Sequence, residues 1–233
     1  MSFKADIGII GAMTEEVSAI ISMLEDRQTE TVGGIEFNTG KLFSKNVCVA
    51  KCGIGKVFAA ICTEAMLIKY NPSLVINTGV GGAVSGELRP LDIVFADRLL
   101  QHDMDTSPLG DPVGLISGIN KIYFDTDERA REILASLAEE KGINYKVGAI
   151  ATGDRFVSSK ADKDLISDRF GAIACEMEGG AVAHTAFVFG TPFIVVRAIS
   201  DSADGEACMD YMEFLPRAAE LSTALTLGLI REY

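Results

Sequence analysis

Acidic residues gather at the ends of apolar runs in this chain of 233 residues. Glu15 and Glu16 follow "ADIGIIGA", Glu176 and Glu178 close the run in "AIACEMEGGA", and Asp201 and Asp204 follow "FIVVRAIS". A carboxylate at the end of a buried strand is costly unless something pairs with it or binds it. Glu176 and Glu178 are two apart, so in extended backbone both leave one face and Met177 the other. Carboxylates so placed accept hydrogen bonds from vicinal hydroxyls, the polar handle of a ribose or another sugar. The blander alternative is helix N-terminal charge, worth ~0.3–1 kcal/mol, and it suits Glu178 alone. Asp201 follows a buried strand that runs through Arg197 and Ser200. It reads equally as a general acid whose proton burial retains and as a helix N-cap. Acid, base and sugar binder together suit cleavage of a bond at an anomeric carbon.

Other chemistries fare worse. Gly79, Gly81 and Gly82 in "TGVGGA" allow close backbone approach to a flat ligand or a sugar, with a tight strand-to-helix turn as the plainer reading. They are not a dinucleotide fingerprint, because Val84 stands where its last glycine belongs. "CGIGKV" is not a P-loop, which would need glycine at Ala50 and a hydroxyl residue at Val57. No G-x-S-x-G elbow is present. His102 and His184 are too few for a multi-histidine zinc site. Either can act as a base, but a surface or satisfied core role is the simpler reading, above all for His184 on a helix.

These residues need a scaffold, and strand and helix patterns alternate along the chain without repeats or linkers. Apolar runs at 5–12, 46–52, 73–79, 92–100, 145–154, 172–176 and 192–200 predict strands, and 29–40 predicts a hairpin around Gly33 and Gly34. Helical spacing marks 14–24 with Thr14 as N-cap, then 56–70, 127–141, 160–169, 178–189 and 210–230. Residues 101–120 carry no period, and a loop that long is usually functional. The expected fold is a single-domain three-layer α/β/α over residues 1–233, with a central mixed, mostly parallel twisted sheet. In such sheets ligands sit at the carboxyl ends of strands, where the acidic and glycine-rich segments fall.

Net charge is −12, a balance that repels phosphate backbones and anionic lipid, so neither nucleic acid nor membrane is expected as a partner. The five cysteines, odd in number and set in apolar runs, read as reduced, buried thiols. No basic leader with an apolar core opens the chain, and a cytoplasmic protein is expected.

Six segments, in order along nearly the whole chain, carry a resemblance: "IGIIGAMTEEV" (7–17), "CGIGKVFAA" (52–60), "VINTGVGGAV" (75–84), "IATGDRFV" (150–157), "CEMEGGAVAH" (175–184) and "FIVVRAISDSAD" (193–204). They resemble the bacterial 5′-methylthioadenosine/S-adenosylhomocysteine nucleosidases of the purine nucleoside phosphorylase-like family. The resemblance implies that Glu178 binds the ribose hydroxyls, with Met177 packed under the sugar and Glu176 beside it. It implies that Asp201, supported by Ser200, protonates adenine N7 and that Glu16 orients or deprotonates the attacking water. Phe156 would stack on adenine and the Val157 backbone would read its edge. Met13, Gly81, Arg197 and Tyr211 would complete the substrate contacts. The resemblance further implies a small-molecule nucleoside substrate, no metal or organic cofactor, and a homodimer whose partner segment 101–118 reaches the pocket. Val80 replaces the usual Ser or Ala after "NTG", Leu109 stands where an aromatic is common, and Tyr211 where Phe is usual. These departures leave methylthioadenosine, adenosylhomocysteine and 5′-deoxyadenosine all open.

Phosphate as nucleophile would need Arg or Lys forks, and neither "GAMTEEV" nor "VINTGVGG" holds a cation, so water is the better nucleophile. The competing readings are a futalosine hydrolase of the same fold and a non-catalytic nucleoside-binding protein. An AMP nucleosidase would want clustered cations for the 5′-phosphate, and a phosphorylase ranks lower still.

Overall fold

Long buried apolar runs and short amphipathic helices lead this chain to wrap one sheet on both faces. The computed structural model describes residues 3–201, 203 and 207–233, with side chains from 212 onward in the last stretch. The elements are β1 (Ile7–Gly11), α1 (Thr14–Ser22), β2 (Glu25–Val32), β3 (Ile35–Leu42), β4 (Lys45–Lys51) and α2 (Lys56–Tyr70). Next come β5 (Leu74–Ala83), β6 (Ile93–Gln101), a 3-10 turn (Ser107–Leu109), β7 (Phe124–Asp125), α3 (Glu128–Lys141) and β8 (Tyr145–Thr152). The chain ends with α4 (Lys160–Phe170), β9 (Ala172–Glu176), α5 (Gly179–Phe189), β10 (Phe193–Asp201) and α6 (Ala207–Glu232).

Strand β1 pairs in parallel with β4 and β5, and β5–β10, β6–β8 and β8–β9 are also parallel. The pairs β2–β3, β3–β4, β5–β9, β6–β7 and β6–β10 are antiparallel. Because β10 pairs with both β5 and β6, strands β5, β10, β6, β8 and β9 close into a ring. Strands β1, β4, β3 and β2 extend from β5 as an open wing, and the exposed "EDRQTETV" of β2 blunts its edge with charge. Helices α1, α3 and α6 bury their apolar stripes on one face, and α2 and α5 on the other. Among the described residues no helix is long and apolar enough to cross a membrane.

Local chemistry explains most boundaries. Gly33 and Gly34, at φ 59° and 82°, make the two-residue hairpin turn. Helix α2 stops at Asn71 in the left-handed region, followed by Pro72. Asp127 caps α3 by accepting from Ala130 N at 2.8 Å, and Ser159 caps α4 by accepting from Asp162 N at 3.2 Å. His184 is half-buried on α5, its ring stacked 5.3 Å from that of Phe124.

One expectation needs correction. Strand β5 does not turn into a helix at Gly79; it runs on to Ala83 and leads to β6. Its first half pairs with β1, its last residues pair antiparallel with β9, and β10 follows its other side. The glycines therefore serve a strand passing beneath the site, not a turn. The sequence also gives no sign of the two-residue strand β7, which carries too little pattern to announce itself.

Hydroxyls fasten α6 to this extended strand. Thr78 Oγ1 and Ser222 Oγ share a hydrogen bond of 2.6 Å, Thr226 Oγ1 donates to Thr78 Oγ1 at 2.9 Å, and Gly79 N donates to Ser222 Oγ at 3.2 Å. Ser222→Ala strands the buried Gly79 N–H, and urea denaturation should show a loss of about 1–3 kcal/mol. An unchanged stability would mean that this lock contributes nothing.

Candidate active site

Strand β1 ends at Gly11, and the chain turns through Ala12 and Met13 into α1. The Glu16 carboxylate folds back over that turn. Its Oε2 accepts from Ala12 N at 2.7 Å and Met13 N at 2.9 Å, and its Oε1 accepts from Val80 N at 3.1 Å. Met13, not Thr14, is thus the N-cap residue, because Glu16 in the first turn satisfies the orphan N–H groups. Burial raises the Glu16 carboxyl above its usual range, against the opposing pull of Arg197 and the three N–H donors. A Cβ at Gly79 would lie 2.3 Å from Glu16 Oε1, so any larger residue here would push the Glu16 carboxylate from its place.

The two glutamates of "CEMEGG" divide the work differently from the pattern read in the sequence. Strand β9 stops at Glu176, so alternation no longer governs Met177 and Glu178, and Met177 faces the cavity too. Glu176 is the helix-start acid. Its Oε2 accepts from Glu178 N at 3.0 Å, Gly179 N at 2.6 Å and Arg197 Nη2, while Thr152 Oγ1 donates to its Oε1. Glu178 instead spans to α2, its Oε1 accepting from Gly55 N at 2.9 Å and its Oε2 3.9 Å from Arg197 Nη2. Burial first, and the neighbouring Glu176 second, push the Glu178 carboxyl up to about 7.

Arg197, expected among the substrate contacts, lies beneath the floor. It is 1% exposed, its Nη2 donates to Asn77 Oδ1 at 2.6 Å and to Glu176, its Nη1 donates to Asn77 O at 3.2 Å, and it does not line the cavity. It serves as the counter-charge of the acids, because a guanidinium needs buried acceptors as much as they need it.

Asp201, at the end of β10, is 2% exposed. Its Oδ1 accepts from Ser200 Oγ at 3.0 Å and its Oδ2 from Lys163 Nζ at 3.0 Å. A Cβ at Gly82 would sit 2.7 Å from Asp201 Oδ2. Past β8, Phe156 and Val157 form the opposite wall, with Phe156 half-exposed at the mouth.

One cavity thus gathers Met13, Glu16, Gly81, Phe156, Val157, Glu176, Met177, Glu178, Ser200 and Asp201. The side chain of Tyr211 and the whole of Asp204 lie outside the described residues. Sequence reasoning missed Ile54, Arg155 and Cys175 on the wall, Thr152 and Asn77 behind the acids, and Lys163. Lys163 hides in a polar helix where a lysine reads as solvated surface. Among the described lining residues Arg155 is the one cation, and its guanidinium bonds to Asp162.

The pattern of the phosphorylase superfamily matches residues 6–231. A 5′-methylthioadenosine/S-adenosylhomocysteine nucleosidase of Haemophilus influenzae is 40% identical over 226 residues, 96% of this chain and 97% of that protein. A crystal structure of a Helicobacter pylori nucleosidase mutant with 5′-methylthioadenosine in the active site superposes with a TM-score of 0.94 at 35% identity, covering 99% of this chain and 100% of that one. The futalosine hydrolase of Helicobacter pylori follows at 0.93 and 36%, covering 97% of each chain.

A raised folded pKa means that the native protein binds more protons than the unfolded chain between about pH 4.3 and the folded value. Stability therefore falls as pH climbs through that window. Relative to Glu178→Gln, the parent should lose stability steadily from about pH 4.5 to 7 and hold a constant gap above it, as read by urea denaturation. A gap independent of pH would contradict the burial of this charge.

Proposed function

The chain belongs to the phosphorylase superfamily, in the family of the 5′-methylthioadenosine/S-adenosylhomocysteine nucleosidases, and on that footing we propose that it hydrolyses the N-glycosidic bond of 5′-substituted adenosines. The observation that carries the reading is the convergence of Glu16, Glu178 and Asp201 on one cavity, with no cation facing Glu16 among the described lining residues. Phosphate at that end would meet a buried carboxylate instead of the Arg or Lys forks it needs.

In this mechanism Glu178 accepts the ribose hydroxyls, Met177 packs under the sugar, and Met13 and Gly81 close around it. Glu176 acts from behind, holding the start of α5 and the Glu178 backbone. Phe156 stacks on adenine and the Val157 backbone reads its edge. Glu16, with its pKa raised by burial, takes a proton from water as the water oxygen bonds to C1′. The C1′–N9 bond breaks with its electron pair passing to the base, and Asp201, oriented by Ser200, protonates N7. Positive charge grows on the sugar inside a ring of carboxylates, where such stabilisation needs no reorganisation.

The active form we propose is a homodimer in the cytoplasm. Val57, Phe58 and Ile61 at the start of α2, just past the Gly55–Glu178 bond, and Phe187, Val188 and Phe189 at the end of α5 expose large apolar side chains. Leu109, 84% exposed, would extend from the partner's 101–118 segment to cover the 5′ group. Cys48, Cys52, Cys62 and Cys175 are buried free thiols, suited to a reducing compartment.

The test is a panel of methylthioadenosine, adenosylhomocysteine, 5′-deoxyadenosine and futalosine, with released base followed by chromatography. Release of adenine from the 5′-thio nucleosides is expected; cleavage of futalosine alone would move the chain to the sister activity. Asp201→Asn should lower kcat by about 10²–10⁴-fold while a substrate analogue still binds, and full activity would remove Asp201 as the acid. Val188→Glu should shift sedimentation to the monomer, and an unshifted dimer would place the interface elsewhere.

A further inference from the structure

Lys163 is fully buried, in the first turn of α4, and its ammonium donates to Asp201 Oδ2 at 3.0 Å. An ammonium is rarely taken out of water unless a charge or strong acceptor awaits it. Its partner lines the cavity while Lys163 stands behind it. An ionised carboxylate paired with an ammonium accepts hydrogen bonds but has no proton to give. The reaction nevertheless needs one at the base, and the nearest stock on this side of the cavity is the Lys163 ammonium. Taking both charges out of water costs much of what their mutual attraction returns.

Resting on the nucleosidase reading, we propose that Lys163 is a positioning residue that orients Asp201 and supplies the proton Asp201 passes to the base. A proton moves from Lys163 Nζ to Asp201 Oδ2, and Asp201, now a carboxylic acid, gives it to N7. The C1′–N9 electron pair goes to the base, the water oxygen bonds to C1′, and the proton of that water goes to Glu16. Lys163 is left as a neutral amine, and solvent returns the Glu16 proton to it once product leaves. The other ionisable groups on the described cavity wall are Cys175, Glu176, Glu16, Glu178 and Arg155, the last bonded to Asp162. Cys175 on β9 has a thiol that burial pushes up to about 12, so it stays neutral. Glu176 is committed to Arg197, and Glu16 and Glu178 face the pair from across the cavity.

Arginine at position 163 keeps the charge opposite Asp201 but never yields its proton, whereas methionine keeps only the length. Two readouts separate these roles. The first is calorimetry of adenine binding in buffers of different ionisation heat. Wild type should bind with the same enthalpy in every buffer, the proton coming from inside, while Lys163→Arg should draw about one proton from solvent; Lys163→Met, whose buried Asp201 has no counter-charge and so keeps its own proton, should draw none. The second is the pH profile of kcat. Lys163→Arg should fall about 100-fold near neutrality and recover as pH drops, with KM changed by less than about threefold. Wild type should not show that acid recovery. Lys163→Arg with the wild-type rate and profile, or buffer-dependent binding in the wild type, overturns the proposal. Should Lys163→Met fail to fold, Lys163→Arg decides alone. Wild type that binds adenine but cleaves no nucleoside overturns the hydrolase reading and leaves calorimetry to judge Lys163; wild type that does neither overturns both.

Discussion

A single buried guanidinium under three carboxylates governs this structure. Arg197 bonds directly to Glu176, sits 3.9 Å from Glu178, and is held charged by Glu176, Glu178 and Glu16 against the effect of its own burial. One positive charge cannot neutralise three acids. Glu176 takes the direct bond and becomes structural. Glu16 and Glu178 are left with burial raising their pKa values and only partial compensation. The cavity therefore carries uncompensated acidity, suited to a ligand that becomes positive as it reacts.

The fold supplies this arrangement through one long strand. Because β5 continues past Gly79 instead of turning away, its backbone reaches Glu16 through Val80 N and passes under Asp201 at Gly82. The closed ring of strands brings the end of β9 against that same stretch, so acids from three separate chain segments meet. Removing the side chain at Gly79 and Gly82 is what allows the approach; a Cβ at either would overlap a carboxylate.

What could be read beforehand follows from where the determining forces lie. Helix α2 is legible at both ends, at Lys56 after Gly55 and at Tyr70 before Asn71–Pro72, because its stops are written in local residues. The hairpin at Gly33–Gly34 was legible for the same reason. Asp201, Glu16 and Glu178 stand out in the sequence because carboxylates after apolar runs break a strong pattern, and all three line the cavity. The division of labour between Glu176 and Glu178 was not legible, since it depends on which residue the α5 N–H groups reach. The burial of Arg197 and Lys163 is not legible, because it is decided by partners distant in sequence: Glu176 and Asn77 for one, Asp201 for the other.

The central claim is that Glu16 delivers water, and not phosphate, to the sugar carbon. The direct measurement is turnover of methylthioadenosine in ¹⁸O-labelled water containing phosphate, with the sugar product analysed by mass spectrometry. One ¹⁸O atom at the anomeric hydroxyl of free methylthioribose is the result this account predicts. An unlabelled sugar 1-phosphate would contradict it.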